Sequence, residues 1–412
     1  MIGFLAVCAL TVGYSLIAKR MASTFVTAPM VFLGVGALMS IGGFIPAAAS
    51  QPLLLVVAEV ALVVLLFLDA AKTDIMELRN RHVWPLRMLV FGLPLSILLG
   101  TLAGAVLLPT WSIMAVALAA AILAPTDAAL GQAVVTNPAV PVRSRRALIV
   151  ESGLNDGLAL PAILFLAAVL AAETQQNAGW IIFGAKQILL GPIAGGVIGW
   201  LGGWAFMRAK AHGTTSDVFE GIGALALAGT AYLGAVQIGG NGFIASFAAG
   251  LAFGGVVKGA CKFVYEFTES EGQLLSWAAF FLLGAVLVPD AIGELSWPVF
   301  VLILTSLLVV RPVAIWLSLL GTDSAPITRL FFGWFGPRGL ATALFALLVA
   351  EEIPHALAQQ ILNLAINAVW ISAVLHGVTA VPAARRYGAK IAALAPCAEM
   401  HNENVHVKES ET

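Results

Sequence analysis

Charge is what this sequence has least of. Only 10% of its 412 residues are Asp, Glu, Lys or Arg, where a soluble domain carries about 25%. Hydrophobic residues make up 60% and mean hydropathy is +0.97. So few charges cannot cover a water-facing surface, so the chain reads as an all-α polytopic membrane protein whose first partner is the lipid bilayer. Cysteine is equally scarce: Cys8, Cys261 and Cys397 lie too far apart for a metal motif or a disulfide framework. No basic block accompanies the net charge of −1, so nucleic acid is not an expected partner. Met1-Ile2-Gly3-Phe4-Leu5 lacks a basic leader region and a small-residue cleavage site, so it reads as the start of a first span. The polar stretch from Leu394 to Thr412 is expected to be a disordered end without a regulatory role.

What is abundant is apolar runs of the roughly 17–25 residues that a helical span needs. They fall near 2–18, 25–41, 52–70, 86–108, 111–136, 146–172, 180–207, 217–236, 240–258, 271–289, 297–320, 326–350 and 356–382, which makes thirteen. Strict alternation puts Lys19, Arg20, Lys72, Arg79, Arg81, Arg87, Arg143, Arg145, Arg146, Arg208, Lys210, Lys258, Lys262, Arg329, Arg385, Arg386, Lys390 and Lys408 on one side. These are 18 of the 21 Lys and Arg. The opposite loops hold Glu173, Asp290, Glu294, Glu351 and Glu352, and a miscount by one span would scramble this separation. The positive-inside rule then places the amino terminus outside and the carboxyl terminus in the cytoplasm. Residues 1–390 form the transmembrane domain and 391–412 a short cytoplasmic tail.

Thirteen divides as six, one and six, and an odd connector inverts the second six relative to the first, as inverted-repeat transporters require. Each half carries a matching interruption. In the fifth span it is Ala124-Pro125-Thr126-Asp127, and in the twelfth Gly333-Trp334-Phe335-Gly336-Pro337-Arg338-Gly339. Proline removes a backbone donor and clashes one turn back, so both helices should break there. Pro-Thr-Asp also fits a plain helix start, with Thr or Asp capping backbone amides.

Polar groups within the spans are few, and they concentrate at Glu151-Ser152-Gly153-Leu154-Asn155-Asp156. At about 100° per residue, Glu151, Asn155, Ser152 and Asp156 share one helix face. Ionisable groups in a bilayer are costly and usually face a bundle interior or a watery cavity. Asp127 brings another acid from the neighbouring span. A cation such as Na⁺ takes hard oxygen ligands, which Thr126, Asp127, Ser152 and Asp156 can supply. A carboxylate cannot hold a proton and a cation equally well, and that competition is the basis of exchange. Glu151 needs a partner cation: Arg311 is expected to pair with it, and Arg338 to offset helix ends near the break, with the opposite assignment open. Elsewhere, Asp69 marks a span end, Glu59 lies deeper and alone, and His376 is a satisfied packing residue. Asn363 and Asn367 bond to neighbouring helices.

These residues resemble the monovalent cation:proton antiporter-1 family, the sodium/proton exchangers. Pro125-Thr126-Asp127 resembles the family's Thr-Asp in an unwound fifth span, and Glu151 to Asp156 its Glu-Ser-x-x-Asn-Asp signature. Gly336-Pro337-Arg338-Gly339 resembles a Gly-x-Arg-Gly in the twelfth. Arg311 matches a buried eleventh-span arginine, and Asn241 to Phe247 a ninth-span stretch. The resemblance covers residues 1 to 390 and implies a homodimer with a core domain moving like an elevator against a dimerisation domain. It implies Asp156 as the main carrier of cation and proton, Thr126, Asp127 and Ser152 as supporting ligands, and Asn155 holding the broken region. Asn at 155 resembles the electroneutral branch, one proton per cation. It further implies Na⁺/H⁺ exchange in a bacterial inner membrane for pH and sodium homeostasis, with K⁺ or Li⁺ as alternatives and no cofactor. A cation channel would show a symmetric pore motif, and none is visible. An intramembrane aspartyl protease using Asp127 and Asp156 lacks the Tyr-Asp and Gly-x-Gly-Asp motifs and leaves Glu151 and Arg311 unused.

Overall fold

The computed structural model describes residues 2–21, 24–73, 83–127, 130–175, 179–394 and 397–400. Arg79, Arg81 and Lys408, which enter the charge count above, lie outside the described residues. Among those described, regular structure is helical throughout, without a strand. In chain order the helices are α1 (Ile2–Met21), α2 (Ala28–Ile41), α3 (Ala47–Ala71), α4 (Val83–Leu107), α5 (Ile113–Ile122) and the four-residue α6 (Gln132–Val135). There follow α7 (Val142–Gln175), α8 (Gly179–Ala211), α9 (Asp217–Gln237), α10 (Gly242–Val257), α11 (Lys262–Val286) and α12 (Val288–Gly293). The last are α13 (Trp297–Ser318), α14 (Pro326–Trp334), α15 (Leu340–Ala350) and α16 (His355–Ala392). Eight are long and apolar enough to cross a membrane. Each of the thirteen apolar runs falls on a helix or, for the fifth and twelfth, on an interrupted pair.

Local chemistry sets several ends. The Ser112 hydroxyl accepts from the Ala115 amide to start α5, and the Asn241 side chain accepts from the Phe243 and Ile244 amides to start α10. Both satisfy amides that a helix cannot satisfy itself. α10 ends with Lys258 and Gly259 at positive φ, which unwinds the chain in two residues. The helix α11 begins nine residues before the apolar run from 271, since polar residues continue its helix past the apolar stretch.

Lipid gives no hydrophobic drive for helices to associate, so close backbone packing has to supply it. Gly191, Gly195, Gly199 and Gly203 recur every four residues along one buried stripe of α8 and admit the backbone of α10. A Cβ at Gly195 would strike the Ala245 carbonyl, and one at Gly199 the Ala249 carbonyl. Gly250 and Gly254 of α10 in turn admit α3, and Gly36 and Gly284 let α2 and α11 meet. α1 has no buried residue, and α8 shows Ile193, Val197, Trp200 and Trp204 outward. Such outward apolar faces suit a bilayer.

The other helices gather around the two interruptions. α4 and α13 pack antiparallel: Gly92 lies against Ile315 and Ser318, Gly100 near Val310, and Gly104 near Leu302. Each helix has a five-residue π-helical turn, Met88–Gly92 and Ser306–Val310, with proline two residues later at Pro94 and Pro312. π-turns of this kind concentrate where a helix is adapted for function.

The start of the tail departs from the sequence expectation, while residues 395–396 and 401–412 lie outside the described residues. α16 continues to Ala392, and Ala398–Met400 form a 3₁₀ turn with Glu399 buried. The segment is held because its carboxylate finds backbone and hydroxyl donors on another helix, a non-local match that polar composition alone does not reveal.

The glycine stripe gives a direct test. Gly195→Val should lower stability by roughly 3 kcal/mol, the upper end of overpacking costs. Gly196→Ala, with open space around its Cβ, should leave it unchanged. Thermal unfolding in detergent compares the two.

Candidate functional site

The two interruptions cross, and each completes the other. The α5 helix stops at Ile122, and a non-helical stretch through Pro125, Thr126 and Asp127 follows. The α14 helix stops at Trp334, and Phe335–Gly339 run without helix until α15 begins at Leu340. At the crossing the Asp127 amide donates to the Pro337 carbonyl at 2.8 Å. The Asp127 carboxylate accepts from the Leu340 amide at 3.0 Å, capping α15 from the opposite break. Asp127 is thus a cap, as a Pro-Thr-Asp start can be, but for a helix over two hundred residues away. Gly339 gives α15 no side-chain cap of its own, and a Cβ there would occupy the place of the Asp127 carboxylate.

Arg338 answers the other loose end. Its Nη1 donates to the Ala124 and Pro125 carbonyls at 2.8 and 3.0 Å, just past the end of α5. A cation at a helix carboxyl end meets the negative pole of the dipole and satisfies carbonyls that the helix leaves open. Arg311 takes the other role, donating from Nη1 and Nη2 to both Glu151 oxygens at 3.1–3.2 Å. Its Nη2 also donates to the Phe335 carbonyl at 3.2 Å. The question left open by sequence is settled: Arg311 pairs with Glu151, and Arg338 serves the helix ends.

The polar face of α7 lies against the first break. Ser152 donates through Oγ to the Thr126 carbonyl at 2.7 Å, and Asn155 donates through Nδ2 to the Thr126 hydroxyl. Asn155 Nδ2 also approaches Glu151 Oε1 at 3.4 Å. Thr126, Asp127, Glu151 and Ser152 line a cleft of about 20 Å³ with Phe335 and Pro337. Asp156 is not in that lining. It is half-buried one turn after Ser152, and its Oδ1 has no hydrogen-bond donor. Asn155 Oδ1 is likewise without a donor. Two adjacent buried oxygens lacking donors are costly unless something positive reaches them. Among the described residues no three His, Cys, Asp or Glu side chains form a metal-holding group. Any cation here would be held by a mixed set of hydroxyl, carbonyl, amide and carboxylate oxygens.

Sequence reasoning missed three contributors. Asp69 does not merely mark a span end: its side chain packs on Gly153, and Asp156 feels its charge together with those of Asp127 and Glu151. The helix crossing that brings α3 against Gly153 is not visible in spacing. Ser372 and His376, one turn apart on α16, clasp the second break. The Arg338 amide donates to Ser372 Oγ at 2.7 Å, and His376 Nε2 meets the Trp334 carbonyl at 3.0 Å. His376 Nδ1 in turn lies 3.0 Å from both the hydroxyl and the carbonyl of Ser372. Asn367 donates to the Ala291 carbonyl at 2.6 Å, between helices as expected. Asn363 instead accepts from Gln359 within its own helix. Asn241 links α10 to α8, donating to Gln187 Oε1 at 3.1 Å.

Two interrupted helices crossing inside a polytopic bundle, with carboxylates at the crossing, define a class of membrane protein built around a midplane site. Residues 6–386 match the family model described as sodium/hydrogen exchanger, transmembrane, and the chain belongs to that family. It is 27% identical over 334 residues to the K(+)/H(+) antiporter NhaP2 of Shewanella baltica (strain OS223), covering 80% of this chain and 57% of that protein. It is 26% identical over 362 residues to the K(+)/H(+) antiporter NhaP of Alkalimonas amylolytica, covering 86% and 62%. The chain therefore spans about three fifths of the length of these curated relatives. Its fold is similar to the sodium proton antiporter MjNhaP1 of Methanocaldococcus jannaschii, with TM-score 0.75 and 21% identity, covering 94% of this chain and 99% of that one.

Removing one member of a buried ion pair strands the other. Arg311→Leu should cost about 3–5 kcal/mol, and adding Glu151→Leu should recover most of it. Unfolding midpoints of the purified single and double variants decide this; a double variant no better than the single would separate the two residues energetically.

Proposed function

We propose that this chain exchanges a monovalent cation for protons across a bacterial cytoplasmic membrane, with Asp156 as the group that carries either one. The observation that carries this reading is the pair of adjacent buried acceptor oxygens without a donor, Asp156 Oδ1 and Asn155 Oδ1, beside the first break. Arg311 neutralises Glu151, and Asp127 is bonded to Leu340. Asp156 is then the carboxylate through which a proton or cation offsets the negative charge of the cluster. Ser152 Oγ, whose hydrogen is committed to the Thr126 carbonyl, offers its lone pairs as a ligand. Thr126 and Asp127 supply further oxygens at the edge of the same cleft. Asn155 holds the Thr126 side chain in place, and Arg338 holds the end of α5.

The exchange follows from competition. A proton on Asp156 converts the carboxylate to a poor cation ligand, and a bound cation excludes the proton. The loaded site is close to neutral in either case, while the empty site leaves an uncompensated charge in a low-dielectric interior. Reorientation is therefore favoured only when the site is loaded. One carrier carboxylate next to Asn155 supports electroneutral exchange, one proton per cation.

The thirteen-span arrangement with its six, one, six inverted halves belongs to the same proposal. Its support is the pairing of features: π-turns followed by proline in α4 and α13, and breaks following in the fifth and twelfth spans. The antiparallel packing of α4 on α13 fits two inverted copies. The amino terminus is assigned outside and the carboxyl terminus inside, and residues 1–390 form the transmembrane unit, divided into a moving core and a dimerisation domain in a homodimer. The exposed apolar faces of α1 and α8 are where a second copy and lipid would share the surface. Na⁺ is the cation that the sequence resemblance implies. K⁺ stands beside it because the curated relatives carry K(+)/H(+) in their names. The protease alternative finds Asp127 engaged as a helix cap.

Proton flux in reconstituted vesicles, titrated with Na⁺, K⁺ and Li⁺ in turn, tests the reading. Asp156→Asn should insert and fold yet lose cation-driven proton movement altogether, and retained exchange would remove Asp156 from its role. Clamping the membrane potential with valinomycin and K⁺ should leave the Na⁺-driven rate unchanged, whereas a strong dependence would make the exchange electrogenic.

A further inference from the structure

Beyond the cation site, a buried and hydrogen-bonded carboxylate at the α7–α14 end of the bundle belongs to the tail. Glu399, 2% exposed, places Oε1 at 2.8 Å from the Ala325 amide and 2.7 Å from the Thr328 hydroxyl. These donors open α14, whose own N-cap residue, Ala325, has no side chain to cap with. A carboxylate there satisfies open amides and meets the positive pole of the helix dipole. Burial pushes the Glu399 carboxyl up, but the Ala325 amide and Thr328 hydroxyl outweigh it and hold the group below the usual carboxylate range. It is ionised at neutral pH.

The turn is tied on two further sides. The Ala398 carbonyl accepts from Arg143 Nη1 at 3.1 Å, and Arg143 also bridges to Asp323 at 2.7 Å while lying 3.9 Å over the Trp84 ring. Thr328 shares its hydroxyl with Tyr387, which bonds Ser144 at 2.8 Å and stacks on Phe331 at 4.0 Å. Residues 397–400 therefore join the starts of the two helices that frame the candidate site. α7 runs from Arg143 and Ser144 to Glu151 and Asp156, and α14 runs from Thr328 through Phe331 to the Phe335 carbonyl bonded by Arg311. α14 is only nine residues long. So short a helix has little stability of its own and depends on its ends and packing.

We propose that residues 397–400 form a releasable latch in which Glu399 caps α14 in cis and thereby fixes the position of the second break. Its releasability follows from its bonding: Glu399 Oε1 holds both donors from α14, whereas the equally buried Oε2 makes no hydrogen bond of good geometry and only the weakly donating Cys397 thiol stands beside the carboxylate. A half-satisfied buried carboxylate gives back part of what its hydrogen bonds contribute. The docked state is thus held by a margin that a pull on the tail, or a partner taking up the carboxylate, can overcome. An event at the carboxyl terminus then reaches the crossing through α14. Its consequence for transport rests on the function proposed above, but docking itself does not.

Cys397 sits on the latch and reports on it. In the full chain with Cys8→Ser and Cys261→Ser, maleimide should label Cys397 about tenfold faster in Glu399→Ala, in line with the loss of a helix cap. Thr328→Val, on the other side of the contact, should accelerate labelling too, and Glu399→Gln, which keeps the acceptor, should fall between parent and Glu399→Ala. Hydrogen–deuterium exchange at the Phe335–Leu340 amides should rise in the same order. Equal labelling rates in parent and variants would overturn the latch. Faster labelling with unchanged exchange at those amides would overturn its link to the break. Both measurements hold whether or not the chain exchanges cations, which separates this inference from the activity.

Discussion

A bilayer interior has no water with which to finish an interrupted helix, so each open amide and carbonyl must be met by protein. This constraint organises the centre of the molecule. Breaking one span would strand several backbone groups; crossing two broken spans lets each provide what the other lacks. Asp127 from the first break caps α15 after the second. Arg338 from the second takes the carbonyls at the end of α5. One carboxylate and one guanidinium are exchanged between the halves, and neither can be moved without opening both breaks.

The crossing sorts the charges near it into two kinds. Glu151, Arg311 and Arg338 are spent on structure, each buried and bonded to a partner of opposite charge or to helix-end carbonyls. Structural pairs cost desolvation and are kept for the geometry they enforce. Asp156 differs because its Oδ1 has no donor, and it sits among negative neighbours at Asp127, Asp69 and Glu151. A site able to change its occupant needs this asymmetry: charges held in pairs or on helix ends around a carboxylate whose own bonding is incomplete. The sequence shows the same division as two edges of one helix face, Glu151 with Asn155 and Ser152 with Asp156. The structure moves one residue across it. Asn155 binds Thr126 rather than bracing only Glu151, so the first break is held from both edges.

Legibility followed the range of the interaction. Helix-period hydrophobicity, paired prolines and the spacing of Glu151 to Asp156 are local signals, and the helices, both breaks and the polar face lie where those signals put them. The pairing of Glu151 with Arg311 could be posed from sequence because few buried cations compete for a buried acid, but choosing between Arg311 and Arg338 required distances. Asp69, Ser372 and His376 escaped because their roles depend on which helix crosses which. An acid near the end of a span looks the same whether it faces headgroups or Gly153. Glu399 was further from reach: its neighbours along the chain are polar and unpatterned, and its partners Ala325 and Thr328 lie more than seventy residues away.

Close packing explains why such distant partners can be relied on. The glycine stripes of α8, α10 and α2 bring backbones together where any Cβ would collide, so these helices have little freedom to slide. Around the crossing the opposite holds. The four-residue α6, the nine-residue α14 and the eleven-residue α15 are too short to be stable alone. Their positions are set by caps from elsewhere: Asp127 for α15, Glu399 for α14, and Arg338 for the end of α5. A rigid set of long helices thus surrounds short ones whose register depends on a few hydrogen bonds. Local stability is lowest where such bonds are fewest, so the short helices beside the cleft are the elements most able to respond when one bond is altered.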